Sequence, residues 1–206
     1  MSGKREETKK NNRQAILDAA RDVFARLGFG ATTVRDVIRA TDLASGTFYN
    51  YFKSKEEVFQ AIQDENALRV RPRLRAERIR ANNVEEFIKG SFDTFFDYVA
   101  TDRKNFAVLR RNAETMRIRM DTPETVAGFD ELRADLLIAI QQGMFPPVDA
   151  DYMMASMVGV AFEIAEHMLT REPVDPKGAA AFATALFMGG FRALPHVELP
   201  KADAAQ

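Results

Sequence analysis

The chain has 206 residues, 46% of them hydrophobic and 29% charged, an ordinary composition for a soluble globular protein, and no run of about 20 apolar residues that could cross a bilayer. It has no cysteine and only two histidines, His167 and His196, which excludes disulfides, thiolate chemistry and a histidine metal cluster, so neither a metal nor a cofactor is expected. The formal charge of −1 is unevenly spread: residues 1–82 hold 17 Lys+Arg against 11 Asp+Glu and residues 83–206 hold 12 against 19, which fits a polyanion contact at the amino-terminal end, although proteins that bind no nucleic acid often carry such patches.

Residues 1–13 are polar and mixed in charge, without the apolar segment of a secretory signal, and a cytoplasmic location with no membrane contact is expected. From there the hydrophobic spacing is helical throughout, and the fold class reads as all-α with about nine helices. A first helix near 13–27 places Ile16, Ala20, Phe24 and Leu27 on one face and stops at Gly28. A second begins at Thr33, whose hydroxyl suits the amide of Asp36, and ends near Thr41. A third is expected over 45–52, with Phe48 and Phe52 inward one turn apart. Ser54 with Glu57 is a capping box and opens a fourth.

Asn83 with Glu86 caps a fifth helix carrying Phe87, Phe92, Phe95 and Phe96, and a break at Thr101 and Asp102 starts a sixth. A seventh is bracketed by Thr122-Pro123 and Gly143. Two more, near 150–170 and 176–194, mix large apolar residues with small ones that allow close helix approach. The tail from Pro195 onward is expected to fray.

Two short helices joined by a turn, the second showing small polar residues, is the architecture that seats a helix in a major groove. With Phe48 and Phe52 inward, the third helix turns Ser45, Gly46, Tyr49 and Asn50 outward, with Thr47 at the edge. Asn suits adenine, a threonine methyl suits thymine, and Gly46 would let backbone approach DNA; Tyr49 and Thr47 equally suit phosphates. Thr33 with the amides beside it, and Lys55 with those opening the fourth helix, would hold phosphates. Arg35 completes this candidate set. The plainer alternative is that Phe48, Tyr49, Tyr51 and Phe52 form only an aromatic packing cluster.

Resemblance decides between them. From Ile16 to Phe59 the chain resembles the DNA-binding domain of the TetR family: Ile16-Leu17-Asp18-Ala19-Ala20, Phe24, Gly28-Phe29, Thr32-Thr33-Val34-Arg35-Asp36, then Ser45-Gly46-Thr47-Phe48-Tyr49-Asn50-Tyr51-Phe52-Lys53-Ser54-Lys55-Glu56. The family usually has glycine in the turn and serine at the start of the recognition helix, where this chain has Asp42 and Ala44. Asp42 is expected to take a left-handed backbone, and Ser45 to cap one residue late.

The resemblance implies a helix-turn-helix domain over 10–70, a ligand-binding and dimerisation domain over 71–195, and a tail over 196–206. It implies a homodimer paired through the last two helices, holding two recognition helices about 34 to 36 Å apart on a pseudo-palindromic operator in double-stranded DNA. Ligand-relieved repression is the family default. The body holds 11 of the 16 phenylalanines and eight of the nine methionines, which suit both a core and a pocket for an apolar small-molecule effector. The expected wall is Phe95, Phe96, Leu109, Met116, Leu136, Met157 and Phe162, with Arg110, Asn112, Glu163 and His167 as polar handles inside. Residues 95–111 loosely resemble fatty-acid-responsive members, which points to an acyl-CoA or fatty-acid-like effector; a lipophilic drug or another hydrophobic metabolite is the alternative.

The series Arg69, Arg71, Arg73, Arg75, Arg78 and Arg80 forms two clusters beside Ala67, Val70 and Leu74, with a kink expected at Pro72. It reads as a solvated connector, or else as pairing with an acidic face, with ligand phosphates or with DNA. An enzyme is disfavoured because no phosphate loop, nucleophile elbow, zinc-binding histidine motif or triad pattern is visible. A purely protein-binding helical module would leave the polar ridge of the third helix without purpose.

Overall fold

A computed structural model of the chain describes residues 2–103, 105, 106, 108 and 122–195. Among them the regular structure is helical, with no strand: α1 (Ser2–Leu27), α2 (Val34–Arg39), α3 (Ser45–Tyr49), α4 (Lys55–Arg80), α5 (Val84–Thr101), α6 (Pro123–Gln141), α7 (Ala150–Leu169) and α8 (Pro176–Gly190), then a 3-10 turn, Phe191–Ala193. No helix is long and apolar enough to cross a membrane among the described residues. The chain divides into two compact units, Met1–Arg69 with Asp102–Val126, and Val70–Thr101 with Ala127–Gln206. Of the expected sixth helix, the break at Asp102 and helical backbone at 103, 105, 106 and 108 are seen; the remainder lies outside the described residues.

The first unit closes around the rings of Phe24, Phe29 and Phe59, with centroids 5.0 to 5.6 Å apart. Ile16, Leu17, Ala20, Val23, Val37, Phe48, Phe52, Val58 and Ile62 complete the core. Leu27, expected on the inner face, is 40% exposed. The reason is the helix stop: Gly28 takes a φ of 82°, its amide donates to the Phe24 carbonyl at 2.9 Å, and the reversed chain delivers Phe29 in place of Leu27. Arg21, 4% exposed on α1, donates to Asp18 at 2.7 Å and to Glu65 of α4, and Glu65 also accepts from Arg13 at 3.0 Å. These pairs tie α1 to α4 through one carboxylate; Glu65 also lies beside Arg69, which reaches Asp102 at 3.3 Å.

In the second unit α5 packs chiefly on α8 and also on α7. Ala180, Ala183 and Thr184 are the buried residues of α8, small enough to admit the phenylalanines of α5. Phe92 and Phe96 stack at 5.8 Å, Phe187 joins Phe92 at 5.6 Å, and Phe87, Phe145 and Phe191 form a second aromatic group. α6 ends in a Schellman arrangement: Gly143 takes a φ of 74°, its amide donates to Ile140 at 3.0 Å, and that of Met144 donates to Ala139 at 2.9 Å. α8 ends at Gly190, four residues before the expected Leu194, because the chain tightens into the 3-10 turn.

The arginine series resolves into three situations. Arg78 is buried on Asp135 at 2.8 Å, with side chains 4% and 10% exposed; Arg71 meets Glu131 at 3.3 Å, and Arg69 meets Asp102. Arg73, Arg75 and Arg80 are exposed, Arg80 pairing with Glu77. Four of the six therefore pair with acidic side chains, Arg80 only at the surface, and the solvated-connector reading holds for Arg73 and Arg75.

Candidate nucleic-acid interface

α2 is launched by Thr33, extended at φ −108° and ψ 160°. Its hydroxyl accepts from the Asp36 amide at 3.2 Å and donates to the Asp36 carboxylate at 2.6 Å, while its own amide donates to that carboxylate at 2.9 Å. The hydroxyl and amide bonds from Thr33, with help from Arg39 and Arg26, hold the Asp36 carboxyl below the usual carboxylate range. Thr33 is exposed, but both its polar backbone donor and its hydroxyl proton are already engaged. Arg35, on the first turn of α2, is exposed.

The turn between α2 and α3 is made differently from the expectation. No non-glycine residue among those described has a positive φ, so Asp42 is not left-handed. Thr41 shapes the turn instead: its hydroxyl donates to the Ile38 carbonyl at 2.8 Å and accepts from the Leu43 amide at 3.3 Å. Ser45 does not cap. Ala44 is the N-cap, extended at φ −63° and ψ 145° and without a side-chain bond, and Ser45 is the first helical residue.

α3 is also shorter than expected, ending at Tyr49 with Asn50 as its C-cap. Tyr51 and Phe52 stay tethered, their amides donating to the Phe48 carbonyl at 2.9 and 3.0 Å. Phe48 and Phe52 are buried with ring centroids 6.1 Å apart, which anchors the element from behind. Ser45, Gly46, Tyr49 and Asn50 are exposed and Thr47 is half-buried, so five of the eight candidates form one uncharged polar ridge. Tyr49 is 59% exposed and stands edge-on to Phe48 at 5.4 Å. A methyl group built on Gly46 would meet nothing within 4 Å, so the unit's own packing does not require glycine there.

Lys55 stands apart from this ridge. Its ammonium donates to the carbonyls of Thr32 at 2.7 Å and Phe29 at 2.8 Å, lies 3.4 Å from that of Gly30, and sits 4.6 Å from the centre of the Phe29 ring. An ammonium has three donors and all three point into this loop. Lys55 is thus a clamp on the α1–α2 connection rather than a free cation for phosphate. α4 begins with half of the expected capping box: Ser54 accepts from the Glu57 amide at 3.3 Å, while Glu57 reaches one residue farther back, to the Lys53 amide at 2.7 Å.

For the effector candidates of the second unit, Phe95 brings Phe96 and Phe162 together, at 5.8 and 5.5 Å between ring centroids. Phe96, Leu136 and Met157 are buried core side chains. Glu163 and His167, expected inside, are exposed. The inward register of α7 is Met153, Met157, Ala165 and Met168, spaced by four, eight and three, and both polar residues fall off that face. Leu109, Arg110, Asn112 and Met116 lie outside the described residues.

Residues 16–62 match the family model of bacterial regulatory proteins, tetR family. An uncharacterised HTH-type transcriptional regulator of Haemophilus influenzae is 31% identical over 114 residues, 55% of this chain and 56% of that protein. The HTH-type transcriptional repressor AcnR of Corynebacterium glutamicum is 35% identical over 83 residues, 40% of this chain and 42% of the relative. The chain thus spans about half the length of the curated relatives it matches. Among solved structures, the fatty acid degradation regulator FadR of Bacillus halodurans shares the fold with a TM-score of 0.75 at 24% identity, over 87% of this chain and 96% of the other. FadR of Bacillus subtilis, solved in complex with stearoyl-CoA, does so with a TM-score of 0.75 at 21% identity, over 86% and 98%.

Proposed function

We propose, from the match of residues 16–62 to the tetR family model, that the chain is a transcriptional regulator of that family, binding a pseudo-palindromic operator as a homodimer. The observation that carries this reading is the uncharged ridge Ser45, Gly46, Thr47, Tyr49 and Asn50, outward on α3 and backed by two buried phenylalanines. Asn50 and Thr47 read bases, Tyr49 and Thr47 hold phosphates, and Arg35 positions α2 against the backbone, while Thr33, its donors spent on Asp36, holds the start of α2. The helix-turn-helix domain covers 10–70 and the effector and dimer domain 71–195.

The second copy pairs through α7 and α8. Their outer faces support this: Tyr152 is 76% exposed, Phe182 64% and Leu186 52%, beside Ala155, Gly159, Ala185 and Gly189, all exposed. An apolar face of this kind with small residues is what a close helix-to-helix interface needs. The effector is an apolar small molecule, fatty-acyl in character, which draws support from the phenylalanine group of α5 and from the fold shared with a stearoyl-CoA-binding regulator. Such a ligand relieves repression if it favours a dimer of lower DNA affinity, since the coupling acts equally in both directions.

Electrophoretic mobility on DNA from the gene's own neighbourhood tests the reading. Tyr49→Ala should weaken binding nearly uniformly across sequences, and Asn50→Ala chiefly at one base position, by about 1–3 kcal/mol. Unchanged binding in both variants would sink the assignment. Mass spectrometry of denatured protein, as purified, identifies the effector; an acyl chain is expected.

A further inference from the structure

Residues 3–11 of α1 are exposed on every side, so this stretch of helix is held by no core. A helical segment of that length is marginal in water by itself, and its side chains are displayed rather than packed. At about 100° per residue they segregate. Lys4, Arg5, Thr8, Lys9, Asn12 and Arg13 fall on one half of the circumference, and Glu6, Glu7, Lys10 and Asn11 on the other. Both carboxylates are thereby kept off the first half, and among the described residues no ion pair joins Lys4, Arg5 or Lys9 to a carboxylate.

One end of this cationic half is fixed beside the candidate interface. The Arg13 guanidinium lies 5.5 Å from the centre of the Phe52 ring, three residues past the end of α3, and 3.0 Å from Glu65. Lys9 and Arg5 follow outward along the same helix at about 6 and 12 Å from Arg13, from a rise of about 1.5 Å per residue. Residues 2–12 contain no apolar side chain, which removes the anchor that a lipid surface or a protein hot spot requires. A row of exposed cations without apolar anchors matches a polyanion whose charges repeat along a line.

We propose that this face of α1 is a second DNA-contacting element, in which Arg5 and Lys9, with Lys4 at the edge, bind backbone phosphates flanking the half-site that α3 reads. The inference rests on the operator-binding reading of α3. It assigns these side chains to affinity and footprint length, not to sequence choice, because phosphate contacts carry no base information.

The test begins by selecting an operator from a randomised duplex library with the full-length wild-type protein. Binding is then measured against salt on that operator with long flanks and with trimmed flanks, for wild type, Arg5→Ala/Lys9→Ala, Arg5→Gln/Lys9→Gln, Lys10→Ala and Tyr49→Ala. Losing two phosphate contacts should lower the salt slope by about 1.8 for each bound subunit. Between about 50 and about 200 mM salt, wild type should then lose roughly tenfold more affinity per subunit than either double variant. Trimming the flanks should erase the difference, and Lys10→Ala, on the opposite half, should match wild type. An equal effect of Lys10→Ala, or a difference that persists on the trimmed duplex, overturns the proposal. A library that enriches no sequence, or a Tyr49→Ala variant that binds unchanged, overturns the reading beneath it as well.

Discussion

In the first unit the candidate site is everything that the core rejects, whereas in the second the candidate site and the core are made of the same side chains. Ser45, Gly46, Tyr49 and Asn50 are displayed because Phe48 and Phe52 are buried, and the helical period alone fixes which is which. Phe95, Phe96, Phe162 and Met157 carry no such contrast: stacking, core filling and ligand lining use identical chemistry. A surface that reads another molecule is therefore more legible in a sequence than a cavity that encloses one.

The largest effects that sharpen this contrast come from the supports, not the sites. Phe48→Ala should destabilise the protein by about 3–5 kcal/mol and abolish DNA binding through the fold, whereas Tyr49→Ala should stay within about 0.5 kcal/mol in stability while losing affinity. Urea unfolding beside mobility shifts separates the two; comparable stability losses would mean that Tyr49 belongs to the core. In the second unit Asp135→Ala strands the buried guanidinium of Arg78 and should cost about 3–5 kcal/mol, read as a lowered Tm. Asp151→Ala, which breaks an exposed pair with Arg133, should leave the Tm close to that of wild type.

Gly46→Ala is a smaller and more discriminating change. Alanine is favoured over glycine in a helix by about 0.5–1 kcal/mol and the added methyl meets nothing, so stability should rise. DNA affinity should nevertheless fall if backbone comes close to bases there. A variant that is more stable and binds as before would remove Gly46 from the interface.

The smallest effect compares one cap from each unit. Asp36 is held below the usual carboxylate range by Thr33, and Glu86 by the Asn82 amide first and then the Asn82 and Asn83 side chains. Depressed folded values mean that each contribution is fully present above the unfolded carboxyl range, near pH 4, and is lost as pH falls through the lower folded value. Acid titration of thermal unfolding should show a shallower acid limb in Asp36→Asn and in Glu86→Gln than in wild type. An unchanged limb would remove these carboxylates from acid stability.

Caps were readable because a cap is a local bargain between neighbours in sequence: Thr33 with Asp36, Asn83 with Glu86, and Gly143 past α6 all form from residues within five positions. What escaped were the partners brought from afar. Arg21 on Glu65 spans 44 residues, Lys55 on the Phe29 and Thr32 carbonyls spans 26 and 23, and Arg78 on Asp135 spans 57. Nothing in the local pattern distinguishes such a lysine or arginine from a free one. Glu163 and His167 escaped for a related reason, since the residue type suited a pocket and only the register of α7 decided the side it faced.

The path of the chain sets a limit on how this protein can be taken apart. It passes from one unit to the other after Arg69, again after Thr101 and a third time after Val126, so the first unit is assembled from two separated stretches. A single splice near residue 70, joining the amino-terminal stretch to a foreign body, would deprive Arg69 of Asp102. An exchange of the amino-terminal unit between relatives therefore has to carry Asp102 along with Arg69.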